Sequence, residues 1–440
     1  MKKLFAILLL ILFSSCSFDN KTGIWNNTNT SKVKFDKYKD FKKLYSDKES
    51  FKEIINPPKN LKVLLSAAKS NYSWNDEFYQ ESDNFYNFNY KNLNELTFRS
   101  KKISRYNLND KFLFYKKNIL LNDDRGNIIV YSLEREEVVY KFNFYKNKFK
   151  KIKKNLNVII NKDIIYITDN IGYFYALNYS QKRLLWAKNF KVPFRSNLKI
   201  VNDKIIAVDQ NNVLYVIDKS NGDRLKTLPT EETTLKNQFV NSLSSSDNSM
   251  FFLNSYGSLY SINNKEIFIQ WIVNLNQSLE INPGNLFYSK PLLISENKII
   301  VCTKDELYIL NIENGAINSK KLITSVIEPV INKNNLFLIT KDNLLVLINL
   351  SINKIIYSIN IEKKIADFLA TKQKSILVQS AFISDNKLFI LLENSYIIKL
   401  NVNGTIEAIN KLPTKIKSKP IFISDSMIYL DKNNKLNILN

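Results

Sequence analysis

Gly172-Tyr-Phe-Tyr-Ala-Leu-Asn178 is the phrase on which the fold turns, because the same pattern returns all along the chain. It reads Asn212-Val-Leu-Tyr-Val-Ile-Asp218, Gly257-Ser-Leu-Tyr-Ser-Ile-Asn263 and Asp305-Glu-Leu-Tyr-Ile-Leu-Asn311. Further on it reads Asn343-Leu-Leu-Val-Leu-Ile-Asn349, Ser395-Tyr-Ile-Ile-Lys-Leu-Asn401 and Asn434-Lys-Leu-Asn-Ile-Leu-Asn440. A weaker copy, Asn127-Ile-Ile-Val-Tyr-Ser-Leu133, stands in front. Each copy is a turn residue, an alternating apolar run and, in all but the weaker one, a closing Asn or Asp, which is the signature of a strand between turns. The copies end 45, 40, 45, 48, 38, 52 and 39 residues apart. That spacing is the length of a four-stranded propeller blade and does not suit a helical repeat.

The flanks of each copy agree. Another strand-like run precedes it, as in Asp163-Ile-Ile-Tyr-Ile-Thr168, Lys204-Ile-Ile-Ala-Val208 and Lys298-Ile-Ile-Val-Cys302. A large residue follows eight positions after the closing Asn: Trp186 after Asn178, Trp271 after Asn263, Tyr357 after Asn349. A small antiparallel sheet cannot bury both faces alone, so alternating Ile, Leu and Tyr must pack against the next blade until the ring closes. Trp186 and Trp271 then fill the outer part of the wedge between blades. Eight copies predict an all-β, eight-bladed β-propeller of four-stranded antiparallel blades over 61–440. The last copy ends at Asn440 with no fourth strand after it. The strand-like run from Leu93 to Ser104 is the candidate to complete that blade.

The 440 residues are 45% hydrophobic, 12% aromatic and 24% charged, enough for a large core and against wholesale disorder. There is no histidine, which removes Ser-His-Asp and Cys-His catalysis and imidazole metal sites together. Two cysteines allow one disulfide at most and no Cys-rich zinc site. The formal charge of +23 comes from 64 Lys and Arg against 41 Asp and Glu. The lysines are spread over every segment, as an AT-biased genome writes them, and follow no nucleic-acid module, so no nucleic-acid partner is expected.

Lys2, Lys3 and the apolar run Leu4 to Phe13 have the form of a signal peptide, too short to span a bilayer. Ser14-Ser15-Cys16 follows and resembles a bacterial lipobox, with residues 1–15 removed and Cys16 acylated. Ser17 in place of Asp favours passage to the outer membrane in lipoproteins of this kind. Residues 16–60 read as a tether. Within it Phe41, Leu44, Phe51, Ile54 and Ile55 predict a short amphipathic helix over 36–55, stopped by Asn56-Pro57-Pro58. Cys302, among β-branched residues and with no histidine to activate it, is expected to be a small buried hydrophobe.

The repeat phrase followed by Leu185-Trp186 resembles the β-propeller repeat of quinoprotein dehydrogenases and their non-enzymatic relatives. With the lipobox, roughly residues 70–440 resemble the BamB-type lipoproteins of the outer-membrane β-barrel assembly machine. Ser73-Trp74-Asn75 resembles the segment leading into the first blade in alphaproteobacterial members. The resemblance implies a non-catalytic scaffold without a cofactor, anchored through Cys16 to the periplasmic face of the outer membrane. Its implied partners are the periplasmic domains of the barrel-inserting subunit, other lipoproteins of that complex and nascent outer-membrane proteins. In that family a hydrophobic-x-hydrophobic-Arg loop contacts the barrel-inserting subunit, and the matching positions are Val192, Phe194, Arg195 and Ser196. An exposed aromatic beside an arginine is also the pairing that anchors interfaces. An Asp-x-Asp pair of the family is replaced here by Phe239-Val240-Asn241, so Asn241 stands where an acid is expected. Two alternatives remain open: a quinoprotein-like dehydrogenase, or a propeller lipoprotein binding another envelope component. Dehydrogenase relatives stack their quinone over a disulfide of adjacent cysteines and hold Ca²⁺ with Glu, Asn and Asp. This chain has no Cys-Cys pair.

Overall fold

The computed structural model describes residues 51–92, 94–146, 149–233, 242–276 and 286–440, with the backbone of Cys16–Phe18 and Trp25–Asn27. The chain divides into two units, Met1–Glu49 and Ser50–Asn440. In the first, Cys16–Phe18 pairs antiparallel with Trp25–Asn27.

Among the described residues the second unit forms eight sheets, each with a four-stranded antiparallel blade that is built from consecutive strands in all but the last. Blades 1 to 4 occupy 113–143, 156–189, 199–228 and 242–274, and blades 5 to 7 occupy 293–321, 330–360 and 378–411. Blade 8 takes three strands from 421–439 and its fourth, Leu96–Arg99, from the other end of the chain. There Phe98 lies opposite Ile438, so the sheet is closed by residues more than three hundred positions apart. Asn87–Phe88 adds a short parallel strand to blade 7.

The repeat phrase is the third strand of each blade, and its alternation places residues on both buried faces. First strands such as Val330–Asn332 are short and wholly buried, which puts them at the ring axis. Fourth strands alternate half-buried and exposed, as in Ile269–Asn274, and form the rim. The apolar clusters lie between blades: Trp186 and Phe174 of blade 2 pack with Ile205 and Tyr215 of blade 3.

One device recurs between successive blades, at blades 2, 3, 4 and 6. The fourth strand carries a β-bulge opposite the third, just after the partner of the docking residue (Ala176 for Trp186, Ser261 for Trp271, Leu347 for Tyr357). A bulge adds twist and re-aims a side chain. Trp186 Nε1 donates to the Lys219 carbonyl of blade 3 at 3.2 Å, and Trp271 Nε1 to Ile312 of blade 5 at 3.3 Å. Tyr357 Oη donates to Val402 of blade 7 at 3.0 Å. In blade 3 the equivalent residue is Lys226, whose Nζ caps the Ile267 carbonyl of blade 4.

In five blades the turn before the repeat phrase is organised by an Asp or Asn at the end of the second strand. Asp169 Oδ1 accepts the backbone N–H of Ile171, Gly172 and Tyr173 at 2.8–2.9 Å. Asp123, Asp209, Asn254 and Asp431 do the same in their blades. Residues 51–55, expected to end a helix, are extended instead, and Ile55 pairs with Ser358 on the edge of blade 6. An open strand edge satisfies more backbone groups than a lone helical turn would. Residues 36–50 of that expected helix lie outside the described residues.

Candidate functional site

Residues 64–90 occupy the ring axis. Ser66 N–H donates to Asn332 of blade 6 at 2.6 Å, and Asn71 Nδ2 to the Phe422 carbonyl of blade 8 at 2.9 Å. Trp74 exchanges backbone bonds with Phe114 of blade 1, and Ile160 of blade 2 donates to Asn75 at 3.0 Å. Lys199 of blade 3 holds Asp76 and Asp83. Ser245 of blade 4 donates to Glu81 at 2.8 Å, and Ile294 of blade 5 to Ser82 at 3.0 Å. Ser384 Oγ of blade 7 donates to Phe88 at 2.8 Å. Only a segment lying in the channel can reach the innermost strand of all eight blades. It is held apolar by Trp74, Tyr79, Phe85 and Phe88, and Phe88 stacks on Phe422 with ring centres 5.1 Å apart.

This segment, a plug, meets Ile160, Ser245, Asn332 and Ser384 close to the hairpins that join first and second strands. The loops between blades arrive at the opposite end. A cavity of about 570 Å³ there is lined by Asn109, Asp110, Asp124, Lys154, Arg195 and Lys417 among others.

Three lysines in the channel pair with carboxylates. Lys199 is fully buried and donates to Asp76 at 2.8 Å, Asp83 at 2.6 Å and the Gln80 carbonyl at 2.9 Å. Burial alone would lower its pKa; the two carboxylates outweigh that and hold it above the usual lysine value. Burial pushes the Asp83 carboxyl well above the ordinary range, against the pull of Lys199. Glu77 is raised by burial, with Lys111 at 3.1 Å opposing. Glu328 pairs with Lys419 and is held below its usual value: burial opposes this, and the lysine outweighs it.

The loop from blade 2 to blade 3 corrects one expectation. Phe194 is 1% exposed, packed on Phe190, Phe174 and Tyr215 with ring centres 5.2–6.0 Å away. Its backbone bridges to Asp209, a position held by Leu108, Ser289 and Ile416 in other blades. Phe194 is therefore inter-blade core rather than an exposed anchor: the bridge points its side chain inward, where burying an aromatic stabilises most. Ser196 is also buried, its Oγ accepting Val208 N–H at 2.8 Å. Val192 and Arg195 are half-buried at the surface. Arg195 N–H donates to the Val208 carbonyl at 3.0 Å, as Asn109, Lys290 and Lys417 do to Asn122, Cys302 and Leu430. Arg195 is thus one of a series of equivalent positions where the loops between blades arrive.

Asn241 lies outside the described residues, and only the backbone of Cys16 is described. Cys302 is buried in the cluster between blades 5 and 6, its thiol pushed up by burial. The adjacent-cysteine pair of the dehydrogenase relatives has no counterpart here. The only cysteines are Cys16 and Cys302, and among the described residues no three metal-ligating groups cluster.

Eight closed blades, three of them docked on the next through Trp186, Trp271 or Tyr357, define a β-propeller of PQQ-like repeats. The chain belongs to the family of the outer membrane protein assembly factor BamB, whose model matches residues 125–358, most of blades 1 to 6. Among solved structures it is similar to BamB from Moraxella catarrhalis: 9% identity, TM-score 0.61, covering 79% of this chain and 99% of that one. It is also similar to the quinohemoprotein alcohol dehydrogenase from Comamonas testosteroni, at 9% identity and TM-score 0.63, covering 84% of this chain and 81% of that one. The C-terminal WD40 domain of Sif2 follows at 11% identity and TM-score 0.52, covering 78% and 97%. At these identities the likeness is of fold alone. No curated protein matches the chain in sequence.

Proposed function

We propose that the chain is a non-catalytic scaffold of the outer-membrane β-barrel assembly complex, acylated at Cys16 and facing the periplasm. It binds the periplasmic domains of the barrel-inserting subunit and positions that subunit or its nascent substrates. The observation that carries this reading is the BamB family match, because it spans the blades on both sides of the Val192–Ser196 loop. The channel supports it, since Lys111, Lys199 and Lys419 are committed there to Glu77, to Asp76 and Asp83, and to Glu328. Within the loop, Val192 and Arg195 make the contact, while Phe194 and Ser196 hold the loop in place. A photo-crosslinking residue at position 195 should capture the barrel-inserting subunit in cell envelopes. Capture of some other envelope protein in its place contradicts the reading.

A further inference from the structure

Strand Lys354–Asn360 of blade 6 runs directly into the helix Ile361–Leu369. Asn360 caps the helix, its side chain accepting Lys363 N–H at 2.8 Å. The chain returns to blade 7 through 370–377. Glu362 fixes that return by accepting from Asn343 Nδ2 and Gln373 Nε2 at 2.9 Å and from Ile376 N–H at 3.2 Å. The excursion is a built feature with defined faces.

Ile361, Ile365, Phe368 and Leu369 form one apolar stripe by their helical spacing. Ile361 and Ile365 pack on the cluster between blades 6 and 7. The stripe then overhangs the propeller: Phe368 is 48% exposed, Leu369 49%, and Leu377 on the return 66%. Lys363, Lys364, Lys372 and Lys374 are exposed in the same segment, against one exposed carboxylate, Asp367.

The N-terminal side of the propeller arrives at this same edge. Ile55 and Ser358 exchange backbone bonds at 2.9 Å in antiparallel register, and Ile54 is 55% exposed. Four residues before Ile55, Phe51 packs on the apolar cluster between blades 5 and 6.

We propose that the helix Ile361–Leu369 and its return segment dock on an anionic phospholipid surface. Phe368 and Leu369 enter the headgroup layer and the four lysines pair with lipid phosphates. A fixed amphipathic helix with exposed apolar residues among lysines has the chemistry of an interfacial element. The proposal rests on the membrane-anchored reading for the identity of the surface. The helix leads from blade 6 into blade 7 and Arg195 from blade 2 into blade 3, four blades away in a ring of eight.

The test uses the full chain carrying Cys16→Ser, so that no acyl group contributes, mixed with vesicles of phosphatidylglycerol or of phosphatidylcholine. Hydrogen–deuterium exchange over 361–377 should slow with phosphatidylglycerol and stay unchanged with phosphatidylcholine. The double variant Phe368→Asp, Leu369→Asp should abolish the slowing and weaken vesicle binding roughly tenfold or more. Both substitutions are on exposed residues, so the thermal midpoint should hold. Unchanged exchange over 361–377 with phosphatidylglycerol overturns the proposal, even if vesicles protect another segment. Full protection in the double variant overturns it equally. Failure to find the barrel-inserting subunit as a partner would leave these exchange results standing.

Discussion

Trp186 of blade 2 packs against Gly222 in the turn of blade 3 so closely that a methyl group on that glycine would come within 2.6 Å of Trp186 Cε3. Gly222 has φ +75°, and Gly315 repeats the arrangement under Trp271 with φ +71°. The glycine serves twice, adopting a left-handed turn and letting the indole reach the carbonyl of Lys219. Trp186 thus joins blade 2 to blade 3, and Trp271 joins blade 4 to blade 5, through a contact one residue wide.

Gly222→Ala should destabilise the propeller by about 1–3 kcal/mol, because it adds a strained φ to a steric conflict with backbone-anchored indole. Trp186→Ala should cost about 3–5 kcal/mol through the cavity it leaves. Urea unfolding followed by tryptophan fluorescence checks both; a wild-type midpoint for Gly222→Ala contradicts the docking role.

Phe194 and Arg195 are neighbours in sequence with opposite predicted effects. Phe194→Ala should lose about 3–5 kcal/mol of stability as a core truncation, and any loss of binding should track unfolding. Arg195→Glu should leave the melting temperature near that of the parent and still weaken capture of the barrel-inserting subunit. Parallel melting and pull-down measurements separate the two.

Phe194 also shows where sequence reading stops. The repeat phrase, its period and the aromatic eight residues on made the blades legible, because each encodes contacts within one blade or to the next. The inward turn of Phe194 depends on a bridge to Asp209, visible only once the inter-blade loops are aligned. Leu108 and Ile416 at the equivalent place were the available signal. The plug at 64–90 has no period because it meets eight strands in turn, some more than three hundred residues away. The helix Ile361–Leu369 did leave a trace: it lies in the longest interval between copies, 52 residues from Asn349 to Asn401.

Lys199 should be far less replaceable than either of its partners. Lys199→Met leaves Asp76 and Asp83 buried together and should cost about 3–5 kcal/mol, releasing the plug from blade 3. Limited proteolysis between residues 64 and 90 should then become rapid. Protection equal to wild type would contradict the latch.

Asp83 carries a pH signature of known sign. Its folded pKa lies above the 3.8 of an ordinary aspartate, so the fold favours the protonated carboxyl. The stability it contributes is full below 3.8 and is lost as pH rises through the higher folded value. Asp83→Asn imitates the protonated acid. The variant should therefore gain on the parent in thermal midpoint as pH is raised from acid toward neutrality. A constant difference across that range contradicts the assignment.

The scaffold reading is tested most directly by purifying the chain from detergent-solubilised outer membranes under conditions that recover other lipoproteins. The account predicts that the barrel-inserting subunit co-purifies with the wild-type chain and is depleted with Arg195→Glu. Outer-membrane recovery of the chain without that subunit would contradict it.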